Sequence, residues 1–159
     1  MTTTTLRPVP NRSWRQFAVA VLSAAVLSYV FYVASWWLFL RGTPHAHIPG
    51  VSQRFTWLHL LTVSPLSALA EEFVFRGLIL KYLARVHWLL GLLVSSLAFA
   101  AIHSWPAHVS SYAKFVHAFL AGLFLGALYL RSRSILVTTA AHWTFNLVSK
   151  AAQVLVLGF

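Results

Sequence analysis

The chain has only two carboxylate side chains, and they are neighbours: Glu71 and Glu72, in Ala-Leu-Ala-Glu-Glu-Phe-Val-Phe-Arg-Gly, within an otherwise apolar stretch. Placing one ionised side chain at the centre of a bilayer costs roughly 2.5–3.5 kcal/mol on insertion scales. Acids retained for solubility would scatter into loops, where they cost nothing, so their confinement to an apolar run points to a task. On a helix, adjacent residues point about 100° apart, so the two cannot do the same job. Glu72 and Arg76 are four apart with the acid first, the favourable order for a charge pair. A salt bridge that keeps the helix neutral is therefore the plain reading of Glu72. Glu71 has no such partner on its own helix, which suits a group that takes up and gives back a proton.

Complementary groups occur on other apolar runs. His103 closes Phe-Ala-Ala-Ile-His, and His142 and Asn146 stand four apart in His-Trp-Thr-Phe-Asn, hence on one helix face. Singly, each has an ordinary explanation. A histidine at a helix end is commonly interfacial, and a His/Asn pair can serve as interhelical hydrogen-bonding glue worth about 0.6 kcal/mol. Jointly, one free acid, two imidazoles and one carboxamide are the parts needed to activate a water and hold an oxyanion. Glu71, His103 and His142 could equally supply the three protein ligands of a zinc site, although Asn146 is a better oxyanion donor than zinc ligand. His45 and His47 have a spacing that could bind a metal weakly, without a nearby acid. His59, His87, His108 and His117 read as interfacial. Ser64, Ser67, Ser95 and Ser96 read as packing residues, because no nucleophile elbow frames them. No His-Glu-x-x-His motif is present.

The elements that must position these groups are transmembrane helices. Apolar residues make up 59% of the chain and charged residues 9%, far below the roughly 25% charged of a soluble domain. The runs lack period-2 alternation and are too long for barrel strands. An all-α polytopic bundle of about five spans is expected, with four or six as alternatives. The expected spans are Phe17–Leu40, Phe55–Leu80 broken by Pro65, Trp88–His103, Phe115–Leu130, and Ile135–Leu157 with a break near Lys150. Residues 1–16 read as a flexible polar tail, 17–159 as one transmembrane domain, and 55–149 as the core bearing the polar groups. The first run ends in Trp36, Trp37, Leu38 and Phe39, as a retained anchor with an aromatic belt does, rather than in a cleavage site.

The absence of cysteine excludes disulfides, thiolate metal sites and a cysteine nucleophile. The formal charge of +10 would suggest nucleic acid in a soluble protein, but here the bases fall at the ends of apolar runs and meet headgroups. Membrane lipid is the expected partner, and nucleic acid is not. A cytoplasmic N-terminus puts seven bases inside (Arg7, Arg12, Arg15, Lys81, Arg85, Arg131, Arg133) and four outside (Arg41, Arg54, Lys114, Lys150), the favoured bias. Counted from the cytoplasmic ends, Glu71, His103 and His142 differ in depth by about 10 Å at roughly 1.5 Å per residue.

Taken in order, Glu71-Glu72-x-x-x-Arg76, Phe99-x-x-x-His103 and His142-x-x-x-Asn146 resemble the three-motif signature of the CPBP intramembrane proteases, the CAAX-processing and bacteriocin-processing (Abi) proteins. The resemblance covers residues 55–149. It implies peptide-bond hydrolysis at the membrane, with Glu71 as the base that activates water and His103 assisting. His142 and Asn146 would stabilise the oxyanion, with Glu72 and Arg76 holding the surrounding geometry. A metal-free glutamate mechanism is the preferred expectation, with a zinc-dependent version of the same protease as the alternative. A non-catalytic immunity or scaffold protein is the reading from a different class. The resemblance further implies a substrate with a hydrophobic or lipidated C-terminus, whether a CAAX-type tripeptide, a bacteriocin leader or a sorting tail, and a bacterial inner membrane as location. The chain is shorter than the larger members, which leaves the substrate-binding part open.

Overall fold

The computed structural model describes residues 14–35, 37, 53–104 and 111–157. Most of the polar tail, Trp36, Leu38, Phe39, His45, His47 and His108 lie outside the described residues. The elements are α1 Trp14–Ser35, α2 Gln53–Glu72, a π-helical segment Phe73–Leu80, α3 Lys81–Leu83, α4 Trp88–His103, α5 Ser111–Ser132 and α6 Ile135–Leu157. The junctions at Glu72 and Lys81 keep right-handed helical dihedrals, so α2, the π segment and α3 form one rod. The bundle thus has five long helices and, among the described residues, no strand. Two helical stretches, Trp57–Leu83 and Lys114–Ser132, are long and apolar enough to cross a bilayer.

Burial is inverted relative to a water-soluble fold. Alongside large residues such as Phe75, Leu80, Phe99 and Leu125, the buried set is rich in small and polar ones: Ala24, Ala68, Ala100 and Ala141, together with Ser28, Ser95, Ser96 and Thr138. Large apolar side chains such as Leu22, Val26, Leu61, Leu66 and Ile102 point outward. When hydrocarbon is the solvent, apolar burial gives little driving force, and helices associate through packing, close backbone approach and interhelical hydrogen bonds. Ser28 of α1 donates to the Phe145 carbonyl of α6 at 2.8 Å, and the Trp143 indole of α6 donates to the Leu60 carbonyl of α2 at 2.8 Å. Between α4 and α5, a Cβ added at Gly122 would lie 3.1 Å from the Ser96 Cα, so a side chain here would push the two helices apart by a few tenths of an ångström. These links join α1, α2 and α5 around α6, and α4 against α5 and the π segment.

Several sequence expectations need correction. Pro65 does not break its helix; α2 continues through it. Proline removes one N–H donor, and the loss is confined to a single rung of the ladder. There is no break near Lys150, since α6 runs on to Leu157. The fourth span starts at Ser111, which puts Lys114 on the first turn of α5 rather than in the loop. His117 is not an interfacial residue. It is half-buried in the bundle, edge-on to the rings of Phe31 at 6.5 Å and Phe145 at 5.2 Å.

The π segment begins right after the glutamates. The Lys81 N–H bonds back to the Arg76 carbonyl, the i→i−5 pattern. Single π turns inside α-helices occur mostly at functional sites. Here the Phe75 carbonyl accepts a hydrogen bond from Ser95 Oγ of α4 at 2.8 Å. The widened turn is therefore tied to the helix that carries His103.

Candidate functional site

The rod of α2, α4 and α6 bring five of the six singled-out residues into one cluster. Arg76 is fully buried and donates from Nη1 to Glu72 Oε1 at 3.0 Å and from Nη2 to the Gly122 carbonyl of α5 at 3.2 Å. Its guanidinium lies 4.7 Å from the centre of the Phe99 ring, a cation–π contact made away from water. The charge pair read from the sequence is thus present, and it also clamps three helices.

The same Glu72 Oε1 lies 2.9 Å from His142 Nδ1. A carboxylate that already accepts from Arg76 accepts here too, so His142 carries its proton on Nδ1. His103 Nδ1 lies 2.8 Å from the Phe99 carbonyl, which can only accept, so His103 is likewise protonated on Nδ1. Both rings then direct Nε2 at one atom: Glu71 Oε2 is 3.4 Å from His103 Nε2 and 3.8 Å from His142 Nε2. The two adjacent glutamates hold opposite nitrogens of His142, as their 100° separation requires.

Charge counting adds a constraint. Two carboxylates against one guanidinium leave the cluster with one net negative charge. A neutral cluster, the inexpensive state away from water, contains one further proton. The atoms able to carry it, Glu71 Oε2 and two imidazole Nε2, face one another. This is an arrangement for moving a proton rather than merely storing a charge.

Access differs among the members. Glu72, Arg76 and His142 are sealed in the bundle, whereas Glu71 and His103 keep about a third of their side-chain surface, 32% and 36%. The Glu71 and His103 side chains are thus open to the surroundings, although the Glu71 Oε2 between the imidazoles is itself buried, and the ion pair behind them is sealed. At 16 residues α4 is about 24 Å long, less than the roughly 30 Å of a hydrocarbon core.

Asn146 stands apart. One turn beyond His142, its Nδ2 donates to Ser64 Oγ of α2 at 3.4 Å, and Ser64 is buried, two turns before Glu71. The carboxamide is joined to the rod through a serine that had been read as packing. Three other residues matter that the sequence pattern alone does not mark as such: Phe99, Ser95 and Gly122. Phe99 packs its ring 4.1 Å from that of His103 and 5.5 Å from that of His142, and its carbonyl fixes the His103 tautomer. Its place four residues before His103 was the available signal. Ser95 and Gly122, which hold the π segment and Arg76, carried no signal beyond being small.

Among the described residues, no three His, Cys, Asp or Glu side chains are grouped as a metal ion requires. His59 and His87 are exposed and outside the cluster.

Residues 53–148 match the family described as Rce1-like, type II CAAX prenyl endopeptidase. The chain is also 28% identical over 134 residues to the sporulation-killing factor biosynthesis protein SkfC of Bacillus subtilis, strain 168. That alignment takes in 80% of this chain and 26% of SkfC, so the chain spans about a quarter of the length of the curated relative it matches. No solved structure matches.

Proposed function

Because the chain belongs to the Rce1-like family of type II CAAX prenyl endopeptidases, we propose that it is an intramembrane endopeptidase in which Glu71 activates the attacking water. The observation that carries this reading is the convergence of two imidazole Nε2 atoms, at 3.4 Å and 3.8 Å, on one oxygen of a half-exposed carboxylate. In the proposed reaction, water is held between Glu71 and His103. Its proton passes to the Glu71–His103 pair as its oxygen bonds to the scissile carbonyl carbon. Negative charge then develops on the carbonyl oxygen, where the second Nδ2 hydrogen of Asn146 donates. His142 donates from Nε2 when it holds the cluster's extra proton. Collapse breaks the C–N bond, and the proton taken from water leaves with the amine, giving one acid and one amine terminus. Glu72 and Arg76 fix the His142 ring and the rod.

The proposed substrate is a membrane-associated chain with a hydrophobic or lipidated C-terminus. The family description favours a prenylated CAAX tail, and the biosynthetic role in SkfC's name favours a peptide precursor. The proposed location is a bacterial inner membrane. The protein is reconstituted with a prenylated CAAX peptide, or with a peptide bearing a hydrophobic C-terminal tail, and products are read by mass spectrometry. Glu71→Gln should lower cleavage by about 10²–10⁴-fold, the usual contribution of a positioned base, with insertion and thermal midpoint unchanged. Cleavage by Glu71→Gln at the unaltered rate would sink the proposal, and failure of the unaltered protein on every tail would favour a non-catalytic membrane protein. Treatment with a chelator should leave the rate as it was; loss reversed by zinc would establish the zinc-dependent version instead.

A further inference from the structure

On the far side of α6 from the glutamates, α1, the C-terminal part of α5 and the start of α6 line a half-open cavity of about 880 Å³. Val137 lines it, and His142 lies five residues further along α6, well over 100° around the helix. The walls are apolar, with Ala20 from α1 and Phe124 and Leu128 from α5. Arg15 and Arg131, both exposed, stand at its mouth, at the start of α1 and the end of α5. This is the end of the bundle that also carries Lys81, Arg85 and Arg133.

These arginines cannot be balanced by the chain's own side chains. Its only two carboxylates are held in the cluster with Arg76, His103 and His142. The counter-charge must come from outside. Guanidinium binds phosphate oxygens in a two-pronged fork, which Lys does not reproduce. Basic pockets between transmembrane helices at this level recognise anionic lipid headgroups. The cavity size falls in the range of about 300–1,000 Å³ that accommodates a compact apolar ligand.

We propose that this cavity binds an anionic glycerophospholipid, its phosphate against Arg15 and Arg131 and an acyl chain in the slot between α1 and α5. The bases of an ordinary positive end attract anionic lipid uniformly around the bundle; a built site prefers it at one place.

Absence of cysteine allows a single reporter. Ala127, an exposed residue of the cavity lining, is changed to cysteine and labelled with bimane. A second reporter goes at Leu97 on the outward face of α4. Each labelled protein is placed in phosphatidylcholine vesicles containing the same fraction of brominated phosphatidylglycerol or of brominated phosphatidylcholine. The expected result is quenching at Ala127→Cys several-fold stronger with phosphatidylglycerol, with no such preference at Leu97→Cys. Arg15→Gln with Arg131→Gln should remove the preference and leave the Leu97→Cys signal as it was. Equal quenching by the two lipids at Ala127→Cys, or a preference that survives loss of both arginines, would overturn the site. So would self-quenching that rises with protein density, which would put a second copy there. None of these readouts depends on peptide cleavage.

Discussion

At the scale of single residues, the two glutamates differ in what their loss should do. Glu72 is wholly buried and its Oε1 accepts from both Arg76 and His142. Removing one partner of a buried pair leaves the other uncompensated, at a cost of about 3–5 kcal/mol. Glu72→Gln should therefore lower the thermal midpoint, followed by intrinsic tryptophan fluorescence in detergent, and abolish cleavage as well. Glu71→Gln should lose cleavage alone, because Glu71 is half-exposed and holds no guanidinium. Equal midpoints for the two variants would contradict the assignment of Glu72 as the structural acid. Ser64 gives a gentler test. If it orients Asn146, Ser64→Ala should lower kcat several-fold at unchanged KM, and should do nothing further in an Asn146→Ala background. An equal loss in both backgrounds would separate Ser64 from the carboxamide.

At the scale of elements, the rod of α2 and the π segment is positioned by α4 and α5, through contacts that avoid the reacting groups. Gly122 has two roles: its missing Cβ lets α5 approach Ser96, and its carbonyl accepts from Arg76. Gly122→Val forces these helices apart, and overpacking of this kind typically costs about 1–3 kcal/mol. Because Arg76 loses its α5 acceptor in the same step, cleavage should fall along with the midpoint. Ser95→Ala removes one hydrogen bond to Phe75, a net loss of about 0.5–1.5 kcal/mol, so the milder variant should lower activity with a smaller change in midpoint. If Gly122→Val kept full activity at a lowered midpoint, the α5 clamp on Arg76 would be dispensable. The sequence made the rod visible through its apolar run and the i,i+4 pair. It did not reveal the π turn, because nothing in Phe-Val-Phe-Arg-Gly-Leu-Ile-Leu distinguishes i→i−5 bonding from i→i−4; the Ser95 contact is made from a different helix. Pro65 misled for the complementary reason. A lone proline subtracts one donor, and a helix held from the side by α6 carries through it.

At the scale of the whole molecule, the five-helix bundle was legible because lipid as solvent constrains composition so strongly. The cluster was legible because two acids in an apolar run need partners, and the chain offers few. What stayed hidden was pairing in space: Glu72 with His142, Asn146 with Ser64, and His117 with two aromatic rings, none of which has a spacing to read. Orientation in the bilayer follows from charge and not from packing. Among the described residues, Arg15, Lys81, Arg85, Arg131 and Arg133 gather at the end that holds the α3–α4 and α5–α6 turns. Each base near an anionic leaflet is worth about 1 kcal/mol, which makes a cytoplasmic N-terminus the expected orientation. Two exposed positions report on it without touching the cluster: His87 in the α3–α4 turn and Tyr112 on the first turn of α5. In a chain with no native cysteine, His87→Cys should react with a membrane-impermeant maleimide only in inverted vesicles. Tyr112→Cys should react only when the reagent is applied to intact spheroplasts. The reverse pattern would exchange the two sides: the arginine-lined cavity would face the outside, and the opening beside His103, at the end of α4 away from His87, would turn toward the cytoplasm and require a substrate that arrives from there.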